Sequence, residues 1–211
     1  MLSIDHVVLA VRDLDASAER LRLEHGLSSI AGGRHTAWGT ANRIIPLGAD
    51  YVELLAVVDP DVAARNRVGR FLQELTADGD RWFTVSLADD ELDITAHRLG
   101  LDVVNGERER PDGAIVRWRS CGFEDDPERV ARLSFFIEWD VPPEAHPGRS
   151  AAEHLVAATG IAWIEMGDDG RLRAWLGEEG RDLPIRIIDG DPGIRRVALA
   201  TADGGELVLD P

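Results

Sequence analysis

The chain has 211 residues, of which 39 are acidic and 23 basic, giving a formal net charge of −16. Every basic residue is arginine, which excludes a lysine Schiff base and the lysine of a phosphate-binding P-loop. So acidic a chain also lacks the electropositive footprint that nucleic acids and anionic membranes require, whereas it suits solubility, a cationic ligand or a metal ion.

Hydrophobic content of 44% and charged content of 29% are ordinary for a soluble globular protein. Cys121 is the only cysteine and can form no intrachain disulfide, which favours a reducing compartment. No basic leader and no 18-residue apolar run stands in the sequence, so we expect a cytoplasmic chain without a membrane span.

Residues 4–11 read as a β-branched strand. Leu14, Ala18 and Leu21 have helical spacing, with Asp13 or Asp15 as cap and Gly26 as stop. Three strands are expected at 32–40, 41–47 and 50–58, so the first unit, 1–59, has the order βαβββ. A helical connector occupies 60–79, with Val68, Phe71, Leu72 and Leu75 on one side.

The same order then recurs over 80–141. A strand at Arg81–Leu87 is followed by a helix carrying Leu92, Ala96 and Leu99, then by strands at 102–108, 114–120 and 132–140. After the Pro142-Pro143 joint, residues 142–211 hold a capping-box pattern, Ser150 to Glu153, that predicts a short helix. A degenerate third unit follows, with a strand at Ile161–Met166, a helix at Leu172–Leu176 and strands near 184–189, 194–201 and 205–209. The fold class is therefore α+β, built from tandem βαβββ modules.

Aligning the repeats places His6, Trp82 and Trp163 together in the first strands, and Glu53, Glu138 and Glu206 in the last. Strand side chains alternate between faces. Alternation sets His6, Val8 and Ala10 against Val7, Leu9 and Val11. It sets Trp82, Thr84 and Ser86 against Phe83, Val85 and Leu87, and Phe136 and Glu138 against Phe135, Ile137 and Trp139. The bulkier set is expected on the packed back, the other on a working front.

Paired βαβββ units, a first strand Asp5-His6-Val7-Val8-Leu9-Ala10-Val11 and a fourth strand Tyr51-Val52-Glu53-Leu54 resemble the vicinal oxygen chelate superfamily. The stretch His35 to Gly48, with Phe136-Ile137-Glu138-Trp139-Asp140, is similar to its glyoxalase-like domain branch. The resemblance is good over 1–140. It implies a U-shaped mixed sheet around a cavity, with metal ligands on the first and fourth strands of each module. Carried over, it gives His6, Glu53 and Glu138 as ligands of one divalent ion (Fe, Mn, Ni or Zn), with Glu53 or Glu138 as catalytic base. The fourth ligand position is Trp82, whose indole is a donor only and cannot ligate. Trp82 can instead stack on a flat or cationic ligand.

Two functions follow. One is a metal-assisted small-molecule enzyme of isomerase, lyase or dioxygenase type. The other is a metal-free protein that sequesters a ligand, as bleomycin-resistance relatives do. His35, Thr40, Asn42 and Arg43 are candidates for substrate recognition, the alternative being turn and surface roles. His25, His97, His146 and His154 read as surface or capping residues, with His146 the one able to swing toward the site. The runs Asp89-Asp90-Glu91 and Glu124-Asp125-Asp126 read as solvated turns. The partner is a small molecule, and a homodimer is an open expectation.

Overall fold

The computed structural model describes residues 1–109, 113–123 and 126–211. The first unit runs through β1 (Leu2–Ala10), α1 (Leu14–His25), β2 (Ile30–His35), β3 (Thr40–Pro46) and β4 (Tyr51–Val57). Asp13 starts α1 by accepting the N–H groups of Asp15 and Ala16, and Gly26 stops it at φ 69°, a left-handed turn that suits glycine. The connector is two short helices, α2 (Pro60–Ala63) and α3 (Arg67–Leu75), capped by Asp59 and Asn66. The second unit comprises β5 (Arg81–Asp89), α4 (Leu92–Leu99), β6 (Val103–Glu109), β7 (Ile115–Cys121), α5 (Pro127–Arg132) and β8 (Phe135–Trp139).

These strands make one eight-stranded sheet in the order β2-β3-β4-β1-β5-β8-β7-β6. Each unit places its first strand parallel to its fourth, and the units meet through the antiparallel pair β1–β5. The sheet curves until its edge strands β2 and β6 approach each other, giving the nearly closed mixed sheet that the paired modules imply.

Two bulges in the β1–β5 ladder decide which side chains face inward. Asp5 is the extra residue between the pairs Ile4–Leu87 and His6–Ser86, and Phe83 is the extra residue between Val8–Thr84 and Leu9–Trp82. A bulge breaks the two-residue alternation. Phe83 therefore joins Val8 and Ala10 on the concave side, while Trp82 joins Leu9 on the back. Trp82, expected on the working front, therefore lies on the packed back.

The chain then crosses through short 3-10 turns at Pro143–Ala145 and Pro147–Arg149. The predicted helix after Ser150 does not form. Its backbone is engaged elsewhere: Ser28 Oγ donates to the Glu153 carbonyl, and the Leu155 N–H donates to the Gly26 carbonyl. His154 is fixed there too, accepting the Ser28 N–H at 3.0 Å and donating to the Pro46 carbonyl at 2.7 Å.

The last segment holds β9 (Ala158–Asp168), α6 (Leu172–Leu176), β10 (Ile185–Asp189), β11 (Gly193–Thr201) and β12 (Glu206–Leu209). The βαβββ order is present, but the strands pair as β10-β9-β11-β12. Its first strand lies inside the sheet rather than beside the fourth. This sheet covers the back of the large one: Ile161, Ile164, Met166, Val197 and Leu199 share a core with Val7, Leu9, Trp82, Val85 and Leu87. Burial of each such aliphatic side chain contributes roughly 1.5–3 kcal/mol. Of the acidic runs expected in solvent, Asp89 is instead buried, its carboxylate accepting the Glu91 N–H. Glu124 and Asp125 lie outside the described residues.

Candidate functional site

The concave side of the large sheet encloses a cavity of about 70 Å³, room for a few waters or a small ligand. One wall is aromatic, formed by Trp38, Trp118, Phe123, Phe135 and Trp139. The polar part of the lining is formed by His6, His35, Asn42, Glu53 and Arg108.

The polar groups form one chain of contacts. Parallel pairing of β1 with β4 aligns Val8 with Glu53 and His6 with Tyr51, so His6 and Glu53 share the concave face. His6 stacks on Tyr51 with ring centres 4.4 Å apart. Its Nε2 stands 3.6 Å from Glu53 Oε2, and its Nδ1 lies 2.5 Å from Asp5 Oδ1. The other Asp5 oxygen accepts Trp139 Nε1–H at 2.8 Å and His146 Nε2–H at 3.0 Å. His146 Nδ1 accepts the Gly148 N–H, which leaves its proton on Nε2 for Asp5. Burial alone would raise the Asp5 carboxyl, but the bonds and charges of His146 and His6 outweigh it and hold Asp5 well below the usual carboxylate range. An ionised carboxylate only accepts, so His6 Nδ1 is the donor to it and Nε2 is the atom turned toward Glu53.

On the far side of Glu53, Asn42 Nδ2 donates to Oε1 at 3.0 Å. Asn42 Oδ1 accepts from the Gly33 N–H at 2.7 Å and from Arg108 Nη1 at 3.4 Å. His35 Nδ1 lies 3.1 Å from Thr40 Oγ1, and burial holds this imidazole below its ordinary value, with Glu53 opposing and Arg108 assisting.

The structure thus brings His6, His35, Asn42 and Glu53 to one cavity, with Thr40 behind His35. Arg43 lies on the other face of β3, bonded to Ser29 and Asp15. Trp82 is 7% exposed in the core between the sheets and does not line the cavity, its Nε1 having no partner among the described residues. Glu138 also points away. In β8 it is Phe135, Ile137 and Trp139 that face the cavity, while Glu138 binds Arg119 at 2.7 Å on the outer face. The rule that bulky residues mark the back fails here because the cavity wall is itself aromatic. The three-ligand metal site is therefore not assembled: His6 and Glu53 meet, and Glu138 is committed elsewhere. Among the described residues no group of three or more His, Cys, Asp or Glu side chains is placed to hold a metal ion.

Sequence reasoning passed over Asp5, Tyr51 and Arg108. Asp5 has the parity of Val7 in a regular strand, and it is the extra residue of the bulge beside His6. Arg108 carried one detectable signal, a charged side chain inside a predicted strand.

Residues 4–180 match the family model described as glyoxalase-like domain. No curated protein sequence matches the chain. Among solved structures, a hypothetical protein from Staphylococcus aureus is similar over 100% of both chains, with a TM-score of 0.70 and 16% identity, a likeness of fold. Methylmalonyl-CoA epimerase from Mycobacterium tuberculosis covers 67% of this chain and 90% of its own, with a TM-score of 0.46 and 18% identity. A Streptomyces coelicolor methylmalonyl-CoA epimerase in complex with 2-nitronate-propionyl-CoA covers 64% of this chain and 92% of its own, with a TM-score of 0.44 and 21% identity.

Proposed function

The chain belongs to the glyoxalase-like domain family of the vicinal oxygen chelate superfamily, and from that premise we propose that it is a small-molecule enzyme moving a proton on an oxygen-bearing ligand. The observation that carries this reading is the Asp5–His6–Glu53 array opening on a cavity with an aromatic wall. Glu53 takes a proton from the carbon next to a carbonyl. The C–H electron pair moves into the C–C bond as the carbonyl oxygen becomes an enolate, and the proton then returns to the same carbon, or to the adjacent carbon where a hydroxyl on the first carbon gives its proton to the enolate oxygen and becomes the new carbonyl. His6 Nε2 stands beside the carboxylate to receive or return it, and Asp5 keeps the imidazole in that orientation. Asn42 holds the second Glu53 oxygen, leaving Oε2 for the ligand. Glu138, paired with Arg119, does not join the other two candidate ligands, so the residues present do not fit the three-ligand metal site.

Proton exchange tests this reading. Hydroxyacetone, glyceraldehyde and pyruvate, incubated with the protein in D2O, are followed by ¹H NMR for loss of signal next to the carbonyl. Exchange above the protein-free rate is expected, falling roughly 10²–10⁴-fold in Glu53→Gln. No exchange on any probe, or an unchanged rate in Glu53→Gln, overturns it. The second reading, a sequestering protein, is favoured by the aromatic wall of Trp38, Trp118 and Trp139. It predicts ligand binding with no exchange.

A further inference from the structure

We infer that the ligand of this cavity carries a carboxylate and that Arg108 is its anchor, an inference that rests on the cavity being the ligand site. Arg108 is 8% exposed and lines the cavity from β6. Its guanidinium is charged at any physiological pH and has five N–H donors. Among the described residues one of these reaches a side-chain acceptor, Asn42 Oδ1 at 3.4 Å. Among the described residues no carboxylate forms an ion pair with it, in a chain with 39 acidic side chains. Burying a cation is costly unless an anion completes it.

The surroundings are built for this side chain. A Cβ at Gly32 would stand 2.1 Å from Asn42 Oδ1 and 3.0 Å from Arg108 Nη1, so only glycine lets the two side chains meet there. Asn42 then lies between Arg108 and Glu53, its carbonyl toward the cation and its amide toward the anion. The planar fork of arginine matches the two oxygens of a carboxylate. A cavity of about 70 Å³ suits a short acid. A ligand gripped at Arg108 occupies the same cavity that Glu53 lines. The substrate class is accordingly a short oxo or hydroxy acid.

Thermal unfolding in the presence of pyruvate, of its neutral amide pyruvamide, or of inorganic phosphate tests this. We expect pyruvate to raise the melting temperature by about 3–6 °C at ten times its dissociation constant, and pyruvamide to leave it unchanged. Arg108→Met should lose the pyruvate effect, Arg108→Lys should weaken it, and Glu53→Gln should keep it. The wild-type comparison decides even where Arg108→Met fails to fold. Equal stabilisation by pyruvamide, an undiminished pyruvate effect in Arg108→Met, or a response to phosphate alone overturns the assignment. Pyruvate binding without proton exchange sinks the proton-transfer reading alone. Exchange on hydroxyacetone without pyruvate stabilisation sinks the carboxylate assignment alone.

Discussion

Replacing Asp5 is the sharpest test of the site as a structural unit. Its buried carboxylate accepts from three side chains: His6, Trp139 and His146. Asp5→Ala leaves all three donors without their partner. An unmade hydrogen bond at a buried polar group costs about 1–3 kcal/mol, and breaking a buried charge network typically costs about 3–5 kcal/mol in all. We therefore expect a loss of about 3–5 kcal/mol, which for a chain of this size lowers the melting temperature by roughly 6–20 °C. Trp139→Phe removes one donor and leaves Asp5 two others, so its cost should be near 1 kcal/mol. The two effects can be compared by urea unfolding followed by circular dichroism. The pH dependence gives a second reading. The folded Asp5 pKa is depressed, so its stabilisation is complete above the ordinary carboxylate pKa of about 4 and declines as pH falls. The gap between wild type and Asp5→Asn should narrow on acidification below pH 4. A loss under 1 kcal/mol for Asp5→Ala, or a gap that widens in acid, would refute the network as described.

Three further outcomes follow from other groups. Burial pushes the Asp50 carboxyl up to about 6, so its folded form holds a proton more readily than the unfolded chain. The resulting stabilisation is full below about pH 4 and is lost as pH rises through 6, a displacement worth at most ~3 kcal/mol. Asp50→Asn, still able to accept the Ile161 N–H, should raise stability at pH 7 and leave it unchanged near pH 4, as thermal melts at the two pH values will show. Trp82→Phe should cost only packing, about 1 kcal/mol by chemical denaturation, because the indole N–H has no partner to lose. Glu138→Gln breaks a partly exposed ion pair with Arg119 and should change stability by less than 1 kcal/mol while leaving proton exchange intact.

Local pattern made much of this fold legible. The helix caps at Asp13 and Gly26 and the order of elements along the first unit follow from short-range chemistry. Strand alternation places His6 and Glu53 on one face because β1 and β4 run in register without interruption. It misplaces Trp82 because an unannounced extra residue, Phe83, shifts the phase. It misplaces Glu138 because apolar bulk marks the cavity wall as well as the core. Partners distant in sequence were hidden for another reason. Nothing near Asp5 announces His146, and nothing near Asn42 announces Arg108. The pairing of the last four strands is likewise a matter of non-local contacts, so their order was readable and their neighbours were not.

The crossing segment that carries His146 has a consequence for biosynthesis. Chains leave the ribosome from the N-terminus at about 5–20 residues per second. The first βαβββ unit, with Asp5, His6 and Glu53, is therefore made well before Trp139 and His146 exist. During that interval Asp5 lacks two of its three donors, and the apolar back of β1 lacks the sheet that will cover it. The first unit alone therefore holds Asp5, His6 and Glu53 without the residues that complete their burial, and the finished network requires the chain as far as His146 and the sheet beyond it.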